Sequence, residues 1–216
     1  ADGKVTCEFY SAKTIEEAEI LYDTFNSASS VKTKKDFIYG ELRAAGSLEK
    51  IETQWILRAN LAGALRIATG FSEPSMAAPL AIPALELLDA IHPLHGLFRS
   101  GILGACLLTI RAHGQEAIDQ FWGPYNRKDF TRQGKKANAQ MALYERLRDF
   151  QQSVSYGAEG EQALARYALH LYDKVLAGKT LFFVPLPMSR YVGTYIEEMR
   201  TKPSPRDWAV QHGLLW

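Results

Sequence analysis

The segment GEQALARYALHLYDKV, residues 160–175, carries a strong helical pattern. The apolar side chains that would face a core recur at the i, i+4, i+7 and i+11 spacing of one helix face: Leu164, Ala168, Leu171 and Val175. We therefore predict an amphipathic core helix over about 160–177. His170 lies off this apolar stripe, at a position where an exposed histidine is unremarkable.

Helical patterns recur on both sides of this segment, separated by short polar or glycine-containing breaks. Thr14 has the form of an N-cap, with Glu16 and Glu17 in the turn that follows. Further helices are predicted over 34–46, 48–69, 84–91, 96–112, 115–122, 136–153 and 189–200. The predicted fold class is therefore mostly α.

Segments without this pattern suggest how the chain is divided. FSEPSMAAPLAIP (71–83) contains three prolines and is predicted to be a hinge loop. VTCEFYS (5–11) alternates as a short strand or an extended arm would, and the prolines of TLFFVPLP (180–187) allow at most an edge strand or an extended packing segment. We predict a two-lobed helical domain with extended N- and C-terminal segments: 1–13 arm or strand, 14–70 N-terminal helical lobe, 71–83 hinge loop, 84–200 main helical lobe, 201–216 C-terminal tail.

Composition limits the class of protein. The 216 residues are 47% hydrophobic, which is enough for a globular core, and 25 basic against 24 acidic residues give a net charge of +1. Any site for a polyanion must therefore be local. Cys7 and Cys106 fit neither a disulfide framework nor a zinc ligand set. With no signal peptide evident near Ala1 and no apolar run long enough for a bilayer, we expect a soluble intracellular protein without a membrane partner.

Motifs for catalysis or cofactors are lacking. The sequence has no P-loop, GxGxxG, HExxH or GxSxG, so we predict neither an enzyme nor a cofactor. The nearest set of metal-ligating residue types is His92 and His95 with Asp89 upstream. Its alternative interpretation is a polar loop or helix entry.

The segment YNRKDFTRQGKK (125–136) has the clearest local excess of positive charge. Five cations, Arg127, Lys128, Arg132, Lys135 and Lys136, stand against Asp129 alone, and Tyr125 and Phe130 are interleaved with them. Cations can neutralise phosphates while aromatic rings stack on unpaired bases, so the mixture suits single-stranded nucleic acid. Arg146 and Arg148 add cations beyond this segment, and Arg166 lies on the helix that follows. If 136–153 and 160–177 pack as an antiparallel pair, we expect Arg132 and Lys174 to share a rim and form a groove. The alternatives are a solvated basic loop and surface ion pairs with Glu145, Asp149 and Glu161.

LARYALHLYD (164–173) resembles a signature of the coat proteins of flexuous filamentous plant viruses, the potyvirus and potexvirus groups. These families place an Arg-Gln pair upstream of the signature, and here Arg132 and Gln133 stand in that place, Arg132 lying 35 residues before Tyr167. GACLLTIRAHGQ (104–115) looks like the family's apolar helix that ends in a glycine-containing turn. The resemblance covers about residues 100–175.

The resemblance implies a protein whose copies polymerise on single-stranded RNA without sequence preference. The resemblance implies that Arg132 contacts RNA. At two other RNA-contact positions this sequence departs from the family: Gln115 or Glu116 stands where the family has a serine, and His170 stands where it has an aspartate. The resemblance further implies self-assembly through terminal arms and a location in the virion and the host cytoplasm. For the apolar ends, VTCEFYS and DWAVQHGLLW, the alternative is packing on the chain's own core. Two rival functions remain open: a helical subunit of a bacterial nucleic-acid-binding complex, and a small α-helical metal-binding enzyme using His92 and His95.

Overall fold

The computed structural model describes residues 11–26, 33–58, 61–71, 74–152 and 157–183. Helices dominate these residues, which confirms the mostly α fold class. The helices are α1 Ile15–Asn26, α2 Lys34–Ala44, α3 Gln54–Arg58, α4 Leu61–Thr69, α5 Pro74–Asp89, α6 Ser100–His113, α7 Gln115–Ala117, α8 Gly123–Asn126, α9 Ala139–Gln152 and α10 Ala158–Leu176, with a π-helical turn, Ile118–Trp122, between α7 and α8. Three two-residue strands, β1 Arg132–Gln133, β2 Lys136–Ala137 and β3 Phe182–Phe183, form a small antiparallel sheet in the order β1-β2-β3.

Helix α6 forms the centre of the core. Every residue from Gly101 to Ile110 is buried, and α4, α5 and α10 pack around it. Cys106 is a free, buried cysteine on this helix, and burial raises the pKa of its thiol. The sequence of a helix that is buried on all sides is apolar on every face, and α6 has such a sequence. None of the helices in the described ranges combines the length and apolar composition needed to cross a bilayer.

Two glycines of α6 allow its neighbours to approach closely. A Cβ atom on Gly104 would lie 2.7 Å from the Cβ of Ile67 on α4, and one on Gly101 would overlap the backbone oxygen of Glu161 on α10. The Glu161 carboxylate accepts hydrogen bonds from the Gly101 N–H at 2.7 Å and the Arg99 Nε at 3.0 Å. An acid at a helix N-terminus is favourable because unpaired N–H groups gather there. This carboxylate joins the start of α10 to the start of α6.

The helix predicted from residues 160–175 is confirmed as α10. Leu164, Ala168 and Leu171 are buried, and Val175 is partly buried against the same core. The predicted Thr14 cap is also confirmed, because its hydroxyl accepts the Glu17 N–H at 3.2 Å. Single predicted helices differ in detail: the one over 48–69 begins later, at Gln54, and the one over 84–91 begins earlier, as part of α5.

The predicted hinge loop over 71–83 is wrong, because α5 occupies residues 74–89. A proline inside a helix removes a backbone hydrogen bond and costs about 3 kcal/mol. Along α5 this cost is offset by an apolar face that is buried against α2, α4 and α6: Ala77, Ala78, Ala81, Ala84, Leu85 and Leu88. One core cluster runs from Ile38 to Phe182, so the described parts of both predicted lobes share it.

Several terminal predictions fall outside the described residues. These are the strand or arm over 5–10, the helix over 189–200 and the tail over 201–216. Of residues 180–187 the structure describes 180–183, and there β3 lies at the edge of the described sheet, paired with β2. This agrees with the first of the two predicted alternatives, an edge strand. The helix predicted over 48–69 ends at Thr69 as expected, and Gly70, which follows it, has φ +78°, a left-handed conformation that glycine adopts readily.

Candidate nucleic-acid interface

The basic segment 125–136 begins at the end of α8 and finishes in a β-hairpin. Strands β1 and β2 pair Arg132 with Ala137 and Gln133 with Lys136, and Gly134 takes the left-handed conformation, φ +60°, in the turn. Strand β2 then pairs with β3, and α9 packs beneath β2 and β3. We call residues 127–137 the basic hairpin.

Asn138 fastens the basic hairpin to α9. Its side-chain oxygen accepts the Met141 N–H at 3.0 Å, as an N-cap does, and also the Thr131 N–H at 3.2 Å. Its side-chain nitrogen donates to the Asp129 carbonyl at 2.7 Å. One amide therefore both starts the helix and closes the base of the hairpin. Asn138 was not among the residues predicted from the sequence, although asparagine close before a helical run is an N-cap signal.

All five predicted cations are exposed on the basic hairpin: Arg127, Lys128, Arg132, Lys135 and Lys136. Arg127 and Arg132 form ion pairs of different kinds. Arg127 Nη2 lies 2.9 Å from the Asp129 carboxylate, where both side chains are more than half exposed, so the pair is weak and screened by salt. Arg132 Nη1 lies 2.6 Å from the carboxylate of Glu145, which α9 holds in a buried position.

Lys128 has a backbone conformation that lysine adopts at a cost. Its φ is +59°, and it follows α8 at a position where the Asp129 N–H bonds back to the Pro124 carbonyl at 2.9 Å. This helix ending usually carries glycine, since any Cβ in the left-handed region costs about 1–2 kcal/mol. The chain therefore presents a cation at a position where glycine would be more stable.

We expect Lys128→Gly to raise stability by about 0.5–1 kcal/mol and to weaken binding of a polyanion. Lys135→Gly is the matched control, because it removes the same charge at an ordinary φ and should lower stability instead. Thermal unfolding and RNA titration of both variants check the prediction. A loss of stability in Lys128→Gly would contradict it.

The prediction that Tyr125 offers its ring to a base is wrong. Tyr125 is fully buried, its hydroxyl donates to the Leu97 carbonyl at 3.2 Å, and its ring contacts Phe98 edge to face. Burial, and secondarily the nearby Tyr144, raises the pKa of this phenol well above its usual value. Tyr125 therefore anchors the hairpin to the core. Phe130 is partly buried, and Tyr144 stacks on its ring with centroids 4.9 Å apart, so one face is already covered.

The two remaining predicted contacts, Arg166 and His170, lie on α10 and are half-buried. Burial lowers the pKa of His170, Lys174 and Lys179 lower it further, and Asp173 partly opposes them. The imidazole is therefore mainly neutral near pH 7, and it does not reproduce the negative charge of the family's aspartate. Helix α9 packs against both α10 and the basic hairpin, so it is the element that links these residues to the cations.

The candidate metal-ligating residues have other contacts. Asp89 is buried, and its two carboxylate oxygens accept the N–H groups of Glu52 and Thr53, each at 2.8 Å. His92 Nδ1 lies 3.8 Å from the Glu52 carboxylate, and the His95 ring contacts Trp55. Among the residues the structure describes, no group of three His, Cys, Asp or Glu side chains could hold a metal ion. Asp89 instead ties the end of α5 to the turn before α3.

Glu145 is the ion-pair partner of Arg132, as the alternative interpretation of the sequence allowed, but it is buried rather than on the surface. It is an acid on the buried side of α9, between Ala142 and Leu147, which are both buried. A charged residue in an apolar stripe indicates that a partner of opposite charge compensates it.

Comparison of the chain with protein-family models, curated proteins and solved structures finds no significant match.

Proposed function

We propose that the protein is a coat protein or nucleoprotein that polymerises on single-stranded RNA without sequence preference. The observation that carries this proposal is the basic hairpin, which exposes five cations on a folded support in a chain whose net charge is only +1. The resemblance of residues 164–173 and of Arg132-Gln133 to filamentous plant-virus coat proteins supplies the specific class. The corresponding locations are the virion and the host cytoplasm.

The proposed mechanism is electrostatic. Lysine and arginine side chains displace counterions from the phosphates, so affinity should depend steeply on salt. Base stacking contributes less than the sequence indicated, because Tyr125 is buried and one face of Phe130 is covered. Contacts to phosphates do not discriminate among bases, which agrees with binding that is independent of sequence. Polymerisation would multiply weak contacts of single subunits into a stable filament.

Self-association is assigned to the terminal segments, 1–13 and 201–216. Most of the first segment and all of the second lie outside the described residues, so this assignment rests on their apolar sequences and on the resemblance.

Negative-stain microscopy of the purified protein, with and without single-stranded RNA, tests the proposed function. We expect long flexible filaments whose length increases when RNA is added. Discrete bounded particles would favour the bacterial nucleoprotein subunit, and monomers that do not respond to RNA would contradict both.

We expect Arg132→Lys to fold normally and to bind single-stranded RNA less tightly by about 1–2 kcal/mol per site. A guanidinium can bridge a phosphate through two parallel hydrogen bonds, which an ammonium cannot reproduce. Stability should change little because lysine still places a positive charge beside Glu145. RNA affinity and thermal unfolding of the same variant give the answer. Unchanged affinity together with unchanged stability would remove Arg132 from the interface.

A further inference from the structure

Arg132 is held at two points although it lies on an exposed hairpin. Its Nη1 donates to Glu145 at 2.6 Å and its Nε donates to the Gly134 carbonyl at 3.2 Å. The Arg132 side chain is 53% exposed, whereas the Glu145 side chain is 6% exposed. The ion pair therefore connects a buried acid to a cation that solvent and ligands can reach.

The burial of Glu145 makes this pair difficult to break. A carboxylate removed from water is stable only when a cation or hydrogen-bond donors compensate it. Arg132 supplies that compensation, and its second bond to Gly134 fixes the guanidinium relative to the turn of the hairpin. An arginine side chain otherwise loses considerable rotamer entropy when it binds a ligand. Here much of that ordering is already present in the unbound protein.

The guanidinium retains donors for a ligand. It has five N–H groups in a planar fork, and the two contacts just described use one on Nε and one on Nη1. A phosphate oxygen can accept from the remaining groups on the half-exposed part of the side chain. Glu145 itself is too deeply buried to be a ligand for a cation from solvent.

We propose that Glu145 is a positioning residue for RNA binding, which holds the Arg132 guanidinium in place for a phosphate. This inference rests on the proposed function. The competing explanation is that the negative charge of Glu145 neutralises Arg132 and repels phosphate. The two effects change affinity in opposite directions when the charge of Glu145 is removed, so they can be separated.

The experiment measures affinity for a fluorescent single-stranded oligonucleotide over a range of salt for the wild type, Glu145→Gln, Arg132→Lys and the double variant. For Glu145→Gln we expect affinity to fall about 5–10-fold and the salt slope to fall by about 0.7, the amount that one phosphate contact contributes on a single strand. In the Arg132→Lys background the Gln substitution should cause no further loss, because the two residues act as one unit. Raised affinity in Glu145→Gln, or additive losses in the double variant, would overturn the inference.

Glu145→Asp is the second variant, for use where Glu145→Gln fails to fold. This variant keeps the negative charge but shortens the side chain by one methylene. If Glu145 positions Arg132, RNA affinity should fall about 2–3-fold, the lower part of the range for a weakened hydrogen bond. Neutralisation alone predicts no change, and that result would overturn the inference. If the wild type does not bind the oligonucleotide, the proposed function is refuted. If the wild type binds and the Glu145→Gln variant binds equally well, only this inference is refuted.

Discussion

Replacing Arg127, Lys128, Lys135 and Lys136 together by glutamine is expected to lower affinity for single-stranded RNA on the order of 100-fold at about 0.1 M salt. If each cation neutralises one phosphate, the slope of log affinity against log salt should fall by about 2.8, which is roughly 0.7 for each of the four contacts. All four side chains are exposed, so the fold should survive the change. Titrations at four or more salt concentrations measure both quantities.

The matched control removes four exposed cations that lie outside the basic hairpin: Lys13, Arg43, Lys50 and Arg66. Both variants change the net charge by the same amount, so long-range attraction for a polyanion decreases equally. Only the hairpin variant should lose a large part of the salt slope. Equal losses in the two variants would show that binding follows net charge, and the basic hairpin would no longer be the interface.

Gly101→Ala is expected to destabilise the protein by about 3 kcal/mol, at the upper end of the range for overpacked cores. The new Cβ would overlap the Glu161 backbone oxygen, so α6 and α10 must move apart. That movement also stretches the bonds from the Glu161 carboxylate to the Gly101 N–H and to Arg99. For a chain of this size the unfolding temperature should fall on the order of 10 °C. Denaturant or thermal unfolding measures the change.

Gly40→Ala is the control for the intrinsic preference of helices for alanine. Gly40 lies within α2, is exposed, and has no atom within 4 Å of the Cβ that alanine would add. This substitution should therefore stabilise the protein by about 0.5–1 kcal/mol. If Gly101→Ala were also stabilising, the close packing of α6 on α10 would be contradicted.

Local sequence patterns predicted most helices because the face and the ends of a helix depend on residues that are close together in sequence. The spacing of Leu164, Ala168 and Leu171 defines one face of α10 whatever that face packs against. Thr14 caps α1 through an N–H three residues away, and Gly70 ends α4 through its own backbone freedom. The same locality explains why the basic segment could be recognised, since its five cations are close in sequence and remain exposed.

The sequence by itself determined a mostly helical chain, the caps of particular helices and a concentration of positive charge near residue 130. Only the tertiary structure decided that the proline-containing segment 74–83 is helical, that Tyr125 is an anchor and that Arg132 has a buried partner. Each of these outcomes depends on residues distant in sequence: α5 is supported by α2, α4 and α6, and Tyr125 bonds to Leu97. Burial of an apolar helix face, a phenol or a carboxylate changes the free energy by several kcal/mol, which exceeds the local propensities that a sequence pattern reports.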